Sequence, residues 1–227
     1  MKRGHKLILF FLLLCQAEIT VHAQQQKPAF WNDIQAFKKQ DSINPPPKNA
    51  ILFIGSSSFT NWKDVQNYFP GYTIINRGFG GSTLPDLIRY ENDVIFKYGP
   101  GQIVLYCGEN DLAASDTVTA FMVFERFKKL FTDIRSMLPR IPLIYISMKP
   151  SPSRWQLKDK MIAGNELIEN YLNKQKNATF LSVWKQMLGP DGKPSDDLFI
   201  DDKLHMNAKG YAIWQQALKP WLRAGNR

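Results

Sequence analysis

A single histidine in this sequence is placed for proton transfer. Of the three in the chain, His5 and His22 fall within residues 1–23, which leaves His205 in the stretch Asp201-Asp202-Lys203-Leu204-His205-Met206-Asn207. An imidazole that takes a proton at one ring nitrogen needs an acceptor at the other to hold its tautomer. Asp202, three residues earlier, can bend back to supply it. A hydroxyl for such a base stands in Gly55-Ser56-Ser57-Ser58, directly after an apolar run. Ser57 is the expected nucleophile, with Ser56 and Ser58 as alternatives. Together these residues suit acyl transfer through a serine ester, with Asp202 orienting His205 and His205 activating the hydroxyl.

Two further stretches offer hydrogen-bond donors for a developing negative charge. Gly108-Glu109-Asn110-Asp111 supplies an Asn amide, whose N–H groups stabilise an oxyanion without carrying charge. Asn76-Arg77-Gly78-Phe79-Gly80-Gly81-Ser82-Thr83 places three glycines in four positions, which lets backbone approach a ligand closely. Neither the Walker spacing nor the dinucleotide Gly-x-Gly-x-x-Gly pattern after the first strand is present, so nucleotide binding is set aside. The Ser57 turn also lacks the second glycine of Gly-x-Ser-x-Gly, the elbow of the α/β-hydrolases. Alone, each stretch has a simpler reading as a turn, a helix cap or a surface residue.

The elements that position these residues follow from hydrophobic patterning. Near-continuous β-rich runs at 50–54, 72–76, 102–107, 142–147 and 179–183 read as strands covered on both faces. Segments 84–98, 119–138, 154–174 and 208–222 carry apolar residues at helical spacing, as does a shorter N-terminal stretch at 29–39. Pro-rich 44–48 reads as an extended connector. Strand alternating with helix predicts a three-layer α/β/α fold with a parallel sheet, in which ligands bind beyond the carboxyl ends of the strands. The serine turn and the Asn block each follow a strand in this scheme.

Composition narrows the class. Residues 1–23 have a basic start, an apolar run and a small-residue exit at Val21-His22-Ala23, the pattern of a cleavable export signal; lipidation at Cys15 is the alternative. The expected mature chain, 24–227, is one domain with an N-terminal helix and connector over 24–48. It retains only Cys107 of the two cysteines, which excludes an intrachain disulfide and a Cys-rich metal site. The formal net charge is +9. Its densest basic cluster, Arg126, Lys128, Lys129, Arg135 and Arg140, is interleaved with apolar residues at helical spacing and reads as a solvated helix face, not a nucleic-acid surface.

The Ser57, Gly-rich, Asn110 and His205 blocks, in this order, resemble the SGNH hydrolases (GDSL-type lipases, esterases and acylhydrolases) over nearly all of 50–222. Gly55-Ser56-Ser57 is similar to the family's Gly-Asp-Ser block, Asn76-Arg77-Gly78-Phe79-Gly80-Gly81 to its Asn-x-Gly-x-x-Gly block, Gly108-Glu109-Asn110-Asp111 to Gly-x-Asn-Asp, and Asp202-Lys203-Leu204-His205 to Asp-x-x-His. Ser56 stands where the family's signature Asp does. The resemblance implies a flavodoxin-like sheet of about five parallel strands. It implies a Ser57–His205–Asp202 triad, an oxyanion hole from the Ser57 and Gly81 N–H groups and the Asn110 side chain, and no metal or organic cofactor.

Nothing in the sequence suggests an apolar lid, so small acyl groups, acetate on a sugar or polysaccharide above all, are the expected substrates. Arg77, Glu109, Lys149, Arg154 and Trp155 lie in or beside strand-end loops and are expected to line the pocket. The alternatives are a lipase or lysophospholipase-type acylhydrolase, a sugar O-acyltransferase and a non-catalytic carbohydrate-binding protein. A small-molecule or polysaccharide ester is the expected partner, with no nucleic acid and no stable membrane insertion.

Overall fold

The computed structural model describes residues 27–223; the expected export signal lies outside them. Five strands form one parallel sheet: β1 Ile51–Gly55, β2 Ile74–Gly78, β3 Gln102–Tyr106, β4 Leu143–Ile146 and β5 Ala178–Leu181, in the order β2-β1-β3-β4-β5. That order is the flavodoxin-like one, and the sheet flanked by helices is the expected α/β/α sandwich. The three central strands β1, β3 and β4 are buried along their whole length, whereas the edge strands β2 and β5 are only partly so. This explains why the central runs are apolar at every position and do not alternate.

The period-2 geometry of the strands divides their side chains between two cores. Leu52, Ile54, Ile103, Leu105, Leu143 and Tyr145 pack on one face with Leu84 and Leu87 of α4 (Leu84–Arg89), Phe127 and Phe131 of α7 (Ala120–Met137), and Ile168 of α8 (Lys158–Leu172). Ile34 of the N-terminal helix α1 (Trp31–Ile43) joins this core. On the other face Ile51, Phe53, Val104, Tyr106, Ile144 and Ile146 meet Trp62, Val65 of α3 (Val65–Tyr68), Phe69 and, from α9 (Ala208–Leu218), Tyr211 and Trp214. Among the described residues no helix is long and apolar enough to cross a membrane.

Two helical expectations are revised. The predicted 84–98 helix is broken into α4, α5 (Glu91–Val94) and a 3-10 turn Phe96–Tyr98. The break falls at Tyr90, whose ring packs edge-on to Phe79 and whose hydroxyl donates to the Ala29 carbonyl at 2.7 Å, so tertiary contacts outweigh helix propensity. The helix expected from 154 begins instead at Lys158, behind the 3-10 segment Pro152–Leu157, where Arg154 has non-helical φ −121° and ψ 18°.

The central strands meet closely where the chemistry begins. Gly55 pairs with Gly78 on one side and Tyr106 on the other, at φ 141°, and a Cβ there would lie 1.8 Å from the Tyr106 carbonyl oxygen. No L side chain fits without parting β1 from β3. Gly55→Ala is expected to lower stability by ~3 kcal/mol or more, from overpacking and backbone strain together. Chemical denaturation would show it as a shift of the unfolding midpoint.

Candidate active site

Strand β1 ends at Gly55 and the chain turns at once into α2 (Ser57–Thr60), with Ser56 in extended conformation as its N-cap. Of the three consecutive serines, Ser56 and Ser58 are buried and Ser57 alone is partly exposed. The turn is held from both sides. The Asn76 amide donates to the Phe59 carbonyl at 2.7 Å, and the Tyr211 hydroxyl donates to the Ser58 carbonyl at 2.9 Å. The Asn of the second block therefore braces the helix that carries Ser57, and α9 braces it from the far side.

The Gly-rich loop after β2 lies against this turn. A Cβ on Gly80 would meet the Ser57 Cβ at 3.8 Å, and Gly81 has φ 85°, a left-handed conformation that a side chain would strain. The Ser82 hydroxyl donates to the Gly55 carbonyl at 3.2 Å, while the Ser82 carbonyl accepts from Asn110 Nδ2 at 3.0 Å. One loop thus touches both the serine turn and the start of α6 (Glu109–Ala113), which follows β3. The Ser57 and Gly81 N–H groups and the second proton of Asn110 Nδ2 have no hydrogen-bond partner among the described residues. Asp111, fully buried, accepts from the Leu84 N–H at 3.0 Å and from Arg126 at 2.9 Å. It fastens the loop to α4 and α7 and takes no part in the exposed chemistry.

Asp202 and His205 are brought together in a tight turn. Asp202 Oδ1 accepts from the N–H groups of Leu204 and His205 at 2.9 and 2.8 Å, and its Oδ2 lies 2.5 Å from His205 Nδ1. Lys203 at φ 57° takes the left-handed bend this requires. Asn207 then caps α9 by accepting from the N–H groups of Lys209 and Gly210. The Asp contact leaves His205 Nε2 as the ring nitrogen available to a substrate or a hydroxyl. Ser57 Oγ makes no hydrogen bond among the described residues, a common state of catalytic contacts before substrate arrives. Burial raises the Asp202 pKa, but hydrogen bonds from the His205 backbone and ring and the Leu204 N–H, with the His205 charge, bring it down to about 2.

Three residues expected to line the pocket do something else. Glu109 and Lys149 are 3% and 1% exposed. Lys149 Nζ lies 3.1 Å from Glu109 Oε2, which also accepts from the Tyr106 hydroxyl, and Arg154 reaches Glu109 Oε1 at 3.2 Å. Burial alone would raise the Glu109 pKa; Lys149, Arg154 and Tyr106 together hold it below the usual carboxylate range. Arg77 points away from the serine turn and pairs with Asp41 of α1, donates to the Tyr98 hydroxyl at 2.6 Å and packs over Phe37 and Tyr98. Strand-end position alone does not say which way a side chain points, and these three point inward.

Arg154 and Trp155 belong to the segment Pro152–Leu157. Arg154 also donates to Asn110 Oδ1 at 2.9 Å, and the Ser153 N–H donates to the Lys203 carbonyl at 3.1 Å. Trp155 stacks on Trp184 at 6.2 Å between centroids and, with Pro152, Pro190, Pro194, Asp191 and Asp196, lines a cavity of ≈ 520 Å³. Neither this cavity nor a second one of ≈ 530 Å³ over β2 is lined by a candidate catalytic residue. Phe30, absent from the sequence expectations, lies 3.9 Å from where a Gly81 Cβ would be and packs on Phe79. It precedes α1, far from Gly81 in sequence, so no local pattern could have placed it there.

The sequence model described as the GDSL-like Lipase/Acylhydrolase family matches residues 53–213, from β1 through α9. The chain belongs to this family. Its members are ester hydrolases, and the chain is accordingly an enzyme of the carboxylic ester hydrolase class. Solved structures with the same fold include a GDSL-like lipase from Bacteroides thetaiotaomicron (19% identity, 83% of this chain and 96% of that one, TM-score 0.69). A candidate acylhydrolase from Bacteroides fragilis (19%, 86% and 97%, TM-score 0.73) is similar. So is a Clostridium thermocellum family 3 carbohydrate esterase (18%, 78% and 98%, TM-score 0.60). A search of curated proteins gives no match.

Two expected outcomes follow from the pairings. Asp41→Ala strips the buried Arg77 of its carboxylate and is expected to cost ~3–5 kcal/mol of stability. The folded fraction should keep its ester turnover, measured beside a denaturation curve. Asp202 has a depressed folded pKa, so its stabilisation is complete above its unfolded value of about 4 and is lost as pH falls toward about 2. The melting-temperature gap between wild type and Asp202→Asn should therefore be constant near neutrality and shrink across that acidic window.

Proposed function

We propose that the chain is an exported serine esterase that removes small acyl groups, acetyl above all, from carbohydrate through a covalent intermediate. The observation that carries this reading is the Asp202–His205 contact at 2.5 Å, which leaves His205 Nε2 available as a base, together with Ser57 as the one partly exposed serine of its turn. Ser57 Oγ attacks the ester carbonyl carbon while His205 Nε2 takes its proton, and Asp202 stabilises the imidazolium at Nδ1. The tetrahedral oxyanion is met by the Ser57 and Gly81 N–H groups, which have no other partner among the described residues, and by the second N–H of Asn110 Nδ2, whose first is taken by the Ser82 carbonyl. Collapse breaks the bond to the alcohol oxygen, which leaves with the proton from His205. Water, deprotonated by the same nitrogen, then attacks the acyl-enzyme, releases the carboxylic acid and restores Ser57.

Support for the substrate class comes from the surroundings. The Trp155-lined cavity beside the turn is the size of a small-molecule site and mixes aromatic, proline and carboxylate groups. The family 3 carbohydrate esterase from Clostridium thermocellum shares the fold. Export rests on the basic, apolar and small-residue pattern of residues 1–23.

Hydrolysis of p-nitrophenyl acetate by the purified chain tests the mechanism. Ser57→Ala and His205→Ala are expected to abolish turnover, and Asn110→Ala to lower it ~100-fold, the ~3 kcal/mol typical of one oxyanion donor. Equal rates in wild type and Ser57→Ala would sink the reading. Acetylated xylo- or gluco-oligosaccharides are expected to be better substrates than p-nitrophenyl esters of long acyl chains.

A further inference from the structure

The Asn110 amide has two committed contacts whose partners leave no ambiguity. Nδ2 faces the Ser82 carbonyl at 3.0 Å, which can only accept, and Oδ1 faces Arg154 NH1 at 2.9 Å, which can only donate. Turning the amide over would set oxygen against oxygen and N–H against guanidinium. The amide is therefore locked with both N–H bonds on the Ser82 side, and one of them is free. The guanidinium stays protonated at any accessible pH, so the lock does not titrate.

Arg154 is itself held. The same NH1 reaches Glu109 Oε1 at 3.2 Å, and Glu109 is fixed in turn by Lys149 and the Tyr106 hydroxyl. Its side chain is 19% exposed, against 4% for Glu109. The residue before it donates its N–H to the Lys203 carbonyl, inside the Asp202–His205 turn. A charged donor on Oδ1 also polarises the amide and strengthens the N–H bonds at its other end.

We propose that Arg154 is a positioning residue for the oxyanion hole, locking and polarising the Asn110 amide without touching the substrate. The inference rests on the reading of Asn110 as an oxyanion donor. Loss of the guanidinium leaves Asn110 in place but free to rotate, so the penalty is smaller than deletion of the donor.

The test is a double-mutant cycle on p-nitrophenyl acetate with Arg154→Met, Asn110→Ala and the double variant. Arg154→Met is expected to lower kcat and kcat/KM alike by about tenfold, a fraction of the ~100-fold for the missing donor, with KM unchanged. Arg154→Lys should fall between wild type and Arg154→Met. In the Asn110→Ala background, Arg154→Met should cost nothing further, because the residue through which it acts is gone. The same loss of kcat in both backgrounds, or a raised KM with kcat retained, overturns the proposal. Wild-type kcat in Asn110→Ala overturns the oxyanion reading itself, and the proposal with it. Should Arg154→Met not fold, the same cycle is run with Arg154→Lys, where an additive result again overturns the proposal.

Discussion

A carboxylate withdrawn from water costs several kcal/mol unless opposite charge and hydrogen bonds replace its hydration. Glu109 is such a group, 3% exposed at the start of α6, just beyond the central strand β3. Its partners come from three places: Tyr106 within β3, Lys149 just after β4, and Arg154 in Pro152–Leu157. Meeting the demand of one buried charge therefore gathers the carboxyl ends of β3 and β4 and the loop beyond them. Arg154 extends that grip to Asn110, and Ser153 to the turn of Asp202 and His205. The relative placement of two separate parts of the candidate site depends on this single neutralisation.

The sheet order explains where the other parts sit. In β2-β1-β3-β4-β5 the chain runs outward from β1 in opposite directions, and the crevice opens between the ends of β1 and β3. Ser57 follows β1 and Asn110 follows β3, while the Gly80–Gly81 loop arrives from β2 to close the gap. Two of the three proposed oxyanion donors are backbone N–H groups, fixed by the turns and independent of side-chain identity.

The strands and the four chemical blocks were legible in the sequence because each rests on local rules: apolar runs for covered strands, Gly-rich turns, an Asp three residues before a His. All five strand expectations fall within two residues of the observed ends. What was not legible is direction and distance. Arg77, Glu109 and Lys149 stand beside strand ends, but each turns inward to a partner 36 to 40 residues away in sequence. Tyr90 stops a helix by bonding to Ala29, 61 residues earlier, and Phe30 meets Gly81 across a similar span. Hydrophobic period carries no record of such contacts, since the residues on either side look the same wherever the side chain goes.

The placement of Pro152–Leu157 has a consequence for how specificity and rate are related. The segment offers Trp155 to the cavity that the proposed sugar would enter, and it runs directly into α8, which packs on α7. One position earlier than Trp155, Arg154 holds the amide of Asn110. Trp155 and Arg154 are neighbours in one short segment, so under the proposed function alcohol recognition and stabilisation of the oxyanion would be coupled through it. Under the proposed function, binding energy from a sugar that pressed this segment into place would reach the proposed oxyanion donor, which is where it would raise kcat. A small aryl ester, which has no sugar to make that contact, would forgo this part of the rate even with an identical acetyl group.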